Sequence, residues 1–257
     1  MRFTHAIVRP PAATFADGIT SSGLGAPDLA LALEQHEAYC SALERLGLSL
    51  VRLDPEPAFP DSTFVEDVAI VTEGEAILTR PGAPSRAGEV AAIEAALREW
   101  FPEPATILAP GTLDGGDVCE AGGHVFIGLS ERTNREGATQ LEQWLASHGV
   151  GTSVIDILGL PSMLHLKTGL SWLGERRLLA VGEIAGHEAL RGWEILRVPD
   201  GENYAANCIR INGKLLLPGG FPATAMLLDG LGFDLVGLDM SEYRKMDGGL
   251  SCLSVRW

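Results

Sequence analysis

Hydrophobic positions fall along the chain in short runs broken by Gly-containing turns, then in stripes at three- and four-residue spacing, then in short runs again. Runs of that length between turn residues predict strands, and the stripes predict amphipathic helices. In the first clear copy, residues 64–71 and 76–80 read as strands about the turn Thr72-Glu73-Gly74-Glu75. Val90, Ile93, Leu97 and Trp100 form a helix stripe, and residues 106–109 the closing strand. The second copy pairs 117–120 with 124–128 across Gly122-Gly123. Its helix is expected to open at Thr133, with Glu136 completing a capping box. Ala138, Leu141, Leu145 and His148 line one face, Gly149 ends the helix, and 152–157 closes the unit.

The third copy runs from His165 through Gly174-Glu175 to 178–182, then a short helix near 187–190 and a strand at 193–198. The fourth joins 205–211 to 214–217 through Asn212-Gly213, the strongest two-residue hairpin signal, and continues with a helix from Pro222 and a strand at 233–238. The fifth is split between the termini: 250–256 pairs with 3–9, the helix 28–46 carries Leu29, Leu33, Cys40 and Leu43, and 49–53 closes the unit. A unit of roughly 40–55 residues, repeated five times and closed by the two termini, predicts a ring. The competing description is an ordinary mixed α/β domain. No linker or low-complexity stretch interrupts the chain, so residues 1–257 are expected to form a single domain.

Composition narrows the partners. A net charge of −15 on 257 residues repels phosphate backbones, so nucleic acid is not expected, and a cationic ligand is favoured. Apolar runs such as Leu215-Leu216-Leu217 are far short of a membrane span. The pair Pro10-Pro11 interrupts the N-terminal segment before a signal-peptide core. A soluble, cytoplasmic protein, monomer or homodimer, is expected. Cys40, Cys119, Cys208 and Cys252 show no C-x-x-C spacing, which argues against a zinc knuckle or a disulfide framework.

Each module opens with a polar cluster that apolar packing does not require: Asp61 with Glu66-Asp67, Asp114 with Asp117, His165, Asn207-Cys208, and Gly248-Gly249 before Cys252. In a ring, equivalent positions converge on the axis. Cys252 is then a candidate nucleophile, and the alternative is a buried strand cysteine. His165 stands between leucines, as a proton shuttle or a core histidine. Asp114 is available to orient it, or is a turn former beside Gly115-Gly116. Asp61, Glu66 and Asp67 are suited to a planar cation, or are turn formers. Arg86 and Arg132 are carboxylate ligands or solvated charges.

The segments Phe59–Asp67, Thr112–Asp117, Leu164–Gly169, Tyr204–Cys208 and Ser241–Cys252 resemble those of dimethylarginine dimethylaminohydrolases, and the match runs from Asp17-Gly18-Ile19 to the last strand. The resemblance implies an α/β fold: a five-bladed pseudosymmetric propeller of ββαβ modules (the pentein fold), closed by the N- and C-terminal strands. It implies hydrolysis of Nω-methylated arginines to citrulline, with no cofactor and no metal. Cys252 would attack the guanidinium carbon and form a thiouronium intermediate. His165 would act as acid and then base, oriented by Asp114, with Asp117 as the fallback. Asp67 and Glu66 would hold the guanidinium and Arg86 and Arg132 the α-carboxylate. Asp61 and the carbonyls of Ile19 and Met246 would take the amino end, and residues 18–25 would form a lid. The thiol is expected near its ordinary pKa when free, ionising as substrate binds. An arginine deiminase-like hydrolase of free arginine and a non-catalytic binding protein on the same fold are the alternatives.

Overall fold

At Asn212-Gly213 the backbone takes φ of 47° and 95°, the left-handed pair that a type I′ hairpin needs. The turn joins Ile209–Ile211 to Lys214–Pro218 in an antiparallel pair. The chain then passes through the helix Pro222–Gly230, which carries Pro in its first turn where no amide bond is lost, to Leu235–Leu238, parallel to the middle strand. This computed structural model describes residues 2–72, 74–160 and 162–257. Glu73, expected in the first hairpin turn, lies outside the described residues.

The other four modules repeat the pattern. Their strands are Ala69–Thr72, Glu75–Leu78 and Ala105–Thr106; Val118–Glu120, His124–Leu129 and Gly151–Asp156; Leu170–Gly174, Arg177–Ala180 and Glu194–Arg197; and Val255–Arg256, His5–Val8 and Ser49–Arg52. Each sheet has three strands, the middle one antiparallel to the first and parallel to the third. The expected five-fold ββαβ ring is therefore present, closed where the last strand pairs with the first.

The entry into each sheet differs from the expectation. Residues read as strand starts instead form single helical turns: Val65–Val68, Gly115–Asp117, Leu166–Gly169, Asn203–Ala206 and Leu250–Leu253. Residues rich in Asp, Asn, Ser and Gly bond locally and compete with a strand ladder. Backbone bonds such as Phe64 N–H to Asp61 O (2.9 Å), Asp117 N–H to Asp114 O (3.0 Å) and Cys252 N–H to Gly249 O (3.1 Å) form in or beside these turns. Two helix starts also move. Asn134, not Thr133, caps Arg135–Ser147, and the short helix near 187 is a single turn, Glu188–Leu190, capped by His187.

Helix Leu29–Arg45 starts at Asp28, whose carboxylate accepts from the amides of Ala30 and Leu31. Its buried face runs through Ala32, His36, Tyr39, Cys40 and Leu43, whereas Leu33 is exposed. Cys40 is thus a core residue, and the helix covers the outer side of its sheet. No helix among the described residues is long and apolar enough to cross a membrane.

Candidate active site

The five helical turns gather round the axis and present their polar side chains to it. A cavity of about 830 Å³ opens there, with Cys252, His165, Asn207, Lys167 and Arg132 among its walls. A smaller one of about 30 Å³, bounded by Asp61, Asp67, Arg86, Asp114 and Met246, also reaches His165, Arg132 and Cys252. Thiol and imidazole therefore stand in a common space, as the convergence of modules requires.

Cys252 sits in the turn Leu250–Leu253 and is 9% exposed. The two glycines before it are needed for packing. A Cβ at Gly249 would lie 2.6 Å from the Asn207 amide, and one at Gly248 would strike the Phe64 ring. Burial, with the charges of Glu66 and Asp67, pushes the thiol up to about 12. This is higher than the near-ordinary value expected from sequence, because the thiol is buried beside two carboxylates.

His165 donates from Nε2 to Asp114 Oδ2 at 3.1 Å, and Asp114 is fully buried. The other Asp114 oxygen accepts from the amide of Gly82 at 2.8 Å. Burial opposes the imidazolium, but Asp67, Asp117 and the Asp114 bond outweigh it and raise His165 to about 9. Asp117 contributes charge without touching the ring. Its carboxylate accepts from Leu166 N at 2.9 Å, Ser130 Oγ at 2.6 Å and Thr133 Oγ1 at 2.7 Å. Between the two candidate aspartates, the geometry thus gives the hydrogen bond to Asp114.

The acids at the first module diverge. Asp67 borders the small cavity, accepts from Gly116 N at 3.0 Å and pairs with Arg86 Nη1 at 2.5 Å. Despite burial, His165, Arg86 and these bonds lower it to about 2. Glu66 does not border the small cavity; its Oε1 meets Lys167 Nζ at 2.7 Å and Arg256 Nη2 at 3.0 Å. Arg86 is buried and fully occupied: Nε and Nη2 bond Glu89, and Nη2 also reaches the carbonyls of Asp61 and Phe64. Arg132 lines both cavities, and no ion pair engages its side chain among the described residues.

At the outer end, both Asp61 oxygens accept from Ile19 N, at 3.1 and 3.2 Å. Burial raises the Asp61 carboxyl, with Arg86 and the Ile19 bond opposing. The loop from Ile19 is fastened to the segment on either side of Met246: Ser21 N donates to Asp247 Oδ2 at 2.5 Å, and the hydroxyls of Thr20 and Ser22 donate to Lys245 O at 2.8 and 2.6 Å. Asp247 holds its position at φ 56°. Asp67, Asp114 and His165 also offer ligand-type atoms within 4.8 Å of one another, a spacing open to a metal ion, although each already has a hydrogen-bond partner.

Several site residues carried no sequence signal. Glu89 and Arg256 are remote charges in sequence, and Ser251 is an ordinary serine beside the thiol. Thr133 looked like a helix cap but serves Asp117.

A ring of five ββαβ modules with thiol, imidazole and carboxylate at its axis defines the class as a pentein-fold enzyme. A family profile described as arginine deiminase matches residues 30–215. A dimethylarginine dimethylaminohydrolase from Pseudomonas aeruginosa is 46% identical over 256 residues, 99% of this chain and 100% of the relative. One from Streptomyces coelicolor is 36% identical, over 98% and 96%. The chain belongs to the dimethylarginine dimethylaminohydrolases of the arginine deiminase family. A crystal structure of the P. aeruginosa enzyme, a cysteine-to-serine variant complexed with citrulline, superposes with a TM-score of 0.96 at 44% identity, covering 100% of both chains. The N-terminal domain of ArgZ, 17% identical, shares the fold, with a TM-score of 0.87 over 98% of this chain and 97% of its own.

Proposed function

We propose that this protein hydrolyses asymmetric dimethylarginine and monomethylarginine to L-citrulline and dimethylamine or methylamine, the five modules acting as one catalytic domain. The observation that carries the reading is the cavity shared by Cys252 and His165, with Asp114 bonded to the histidine's Nε2. At rest Cys252 is a thiol and His165 an imidazolium, and both lie among buried carboxylates. A cationic guanidinium against Asp67 offsets the charge that holds the thiol proton, and that proton leaves as the complex forms. The thiolate adds to the guanidinium carbon. The carbon–nitrogen bond to the methylated amine breaks as His165 protonates the departing nitrogen, leaving an S-linked thiouronium. His165, now neutral, takes a proton from water as the water adds to the same carbon, and the carbon–sulfur bond breaks to give citrulline and Cys252.

Arg132, free of ion pairs, is the readier partner for the substrate α-carboxylate. Arg86 serves chiefly to orient Asp67, while Asp61, Ile19 and Met246 take the amino end. Glu66 adds negative charge from beneath. The guanidinium is electrophilic once its charge is held, so the reaction calls for no cofactor. A cytoplasmic setting belongs to the same reading, since the nucleophile must stay reduced and all four cysteines are free.

Citrulline release from asymmetric dimethylarginine, monomethylarginine and arginine, by wild type and Cys252→Ser, tests the reading. Turnover of the methylated substrates is expected, reduced at least roughly a thousandfold in the variant. Turnover of arginine alone would make the protein a deiminase, and no turnover by folded wild type would leave a binding protein.

A further inference from the structure

Asn207 is 6% exposed and makes three side-chain hydrogen bonds at the point where three modules meet. Its Oδ1 accepts from Ser251 N at 2.9 Å, and its Nδ2 donates to Ser251 Oγ at 3.0 Å and to Lys167 O at 3.1 Å. Lys167 belongs to the turn that follows His165, and Ser251 to the turn that carries Cys252. A single amide therefore ties the module of the acid–base residue to that of the nucleophile. Only an amide suits the place: a carboxylate would set negative charge against the Lys167 carbonyl and the Ser251 hydroxyl oxygen. The absence of a side chain at Gly249 is what admits it, since a Cβ there would lie 2.6 Å from Asn207 Oδ1.

The consequence lies at Ser251. Its oxygen accepts from Asn207, so its own hydrogen is directed elsewhere, and Cys252 Sγ lies 3.9 Å away. We propose that the Ser251 hydroxyl, aimed by Asn207, is the hydrogen-bond donor to the sulfur anion that Cys252 becomes during the reaction, with Asn207 as the positioning residue for both turns. A neutral thiol gains little from this donor and an anion gains more. The other charged or titratable groups around the sulfur are Glu66 and Asp67 from the first module, Lys167 and His165 from the third and Tyr204 from the fourth, while Arg256 on the last strand bonds the Ser251 carbonyl. Lys167 and Arg256 are both paired with Glu66, and the acids oppose ionisation.

The proposal rests on Cys252 as the nucleophile of methylarginine hydrolysis, and its test separates the two. The rate of Cys252 alkylation by iodoacetamide is measured against pH without substrate, with Cys252→Ser reporting the other thiols. Citrulline release is measured in parallel for wild type, Ser251→Ala and Asn207→Asp. In Ser251→Ala the alkylation profile is expected to move to higher pH. Its kcat should fall roughly tenfold or more, the worth of one hydrogen bond to a charged acceptor, with KM within about twofold of wild type. In Asn207→Asp, adding Ser251→Ala should cost little further, because the donor is already misaimed. Ser251→Ala with unchanged kcat and alkylation profile overturns the proposal. So does a lower kcat accompanied by a lower melting temperature and an unmoved profile, which marks a structural role. A shifted alkylation profile in a protein that releases no citrulline supports the hydrogen bond and removes the methylarginine reading.

Discussion

Two protons govern what Cys252 and His165 can do. In the free protein both are held, the thiol up to about 12 and the imidazolium up to about 9. Attack needs a thiolate beside an imidazolium, one proton fewer than the resting pair. In the proposed reaction kcat/KM should therefore rise about tenfold per pH unit through neutrality, and level off where His165 titrates, near 9. A falling limb would appear only as the pH approaches the thiol's own value, about 12. Citrulline release followed from about pH 6 to 10 reads this directly, and a maximum near neutrality would contradict it. Asp114→Asn carries the argument one residue outward. Without the carboxylate on Nε2 the imidazolium loses stabilisation, so the break should move to lower pH and kcat should fall roughly 10²–10⁴-fold. The same substitution at Asp117 should disturb Ser130, Thr133 and the Leu166 amide, and show itself mainly as lost stability, because no bond joins Asp117 to the ring.

Single helical turns, not strands, deliver the chemistry, and one of them shows how little room they leave. In Gly115–Asp117 a Cβ at Gly116 would lie 2.7 Å from His165 Nδ1 and 2.8 Å from Asp67 Oδ1. Gly116→Ala should therefore push the imidazole off Asp114 and strain the Asp67–Arg86 pair. It is expected to cost about 1–3 kcal/mol of stability and to lower kcat more than it raises KM. A denaturant melt and steady-state kinetics on the same preparation check both. Such turns were not legible in the sequence. Three or four residues are too few to show a helical period, and their Asp, Asn and Gly content reads equally as loop or as strand end. The hairpins were legible for the opposite reason: Asn212-Gly213 and Gly122-Gly123 sit at left-handed φ values that few other residues adopt. The choice between Asp114 and Asp117 needed three dimensions, since Asp114 is the extended residue before the turn Gly115–Asp117 and Asp117 its last residue, and their carboxylates meet different partners. So did the separation of Glu66 from Asp67, adjacent in sequence but bonded to different partners.

Repetition made the whole molecule readable. Five copies of one element order, each leaving an apolar face bare, have a natural solution in a ring, and the split fifth copy marked where the ring closes. The sequence did not reveal how firmly it closes. Beyond the two residue pairs of the terminal ladder, the amides of Thr4 and His5 both donate to Trp257 O, at 2.7 and 2.9 Å, and Trp257 N returns a bond to His5 O at 3.1 Å. The Trp257 ring stacks on His5 at 5.5 Å and meets Trp100 edge-on at 5.1 Å and Phe101 at 5.7 Å. Trp100, read from its spacing as part of a helix stripe, lies past the end of that helix and belongs to this clasp. The clasp holds the module that carries Cys252 against the one that carries Asp67, so closure and catalysis share a joint. Trp257→Ala keeps the main-chain bonds and removes the aromatic contacts. It should cost about 2–3 kcal/mol, below the range for a fully buried tryptophan because Trp257 is partly exposed. For a chain of this size that corresponds to a fall of roughly 4–12 °C in melting temperature. Well below the melt, kcat should stay within about twofold of wild type, because the ring still closes through its backbone. A variant that melts like wild type would show that the ladder alone seals the ring. One that loses activity at low temperature would show that the aromatic clasp sets the register of Cys252 against Asp67, and not merely the stability of the join.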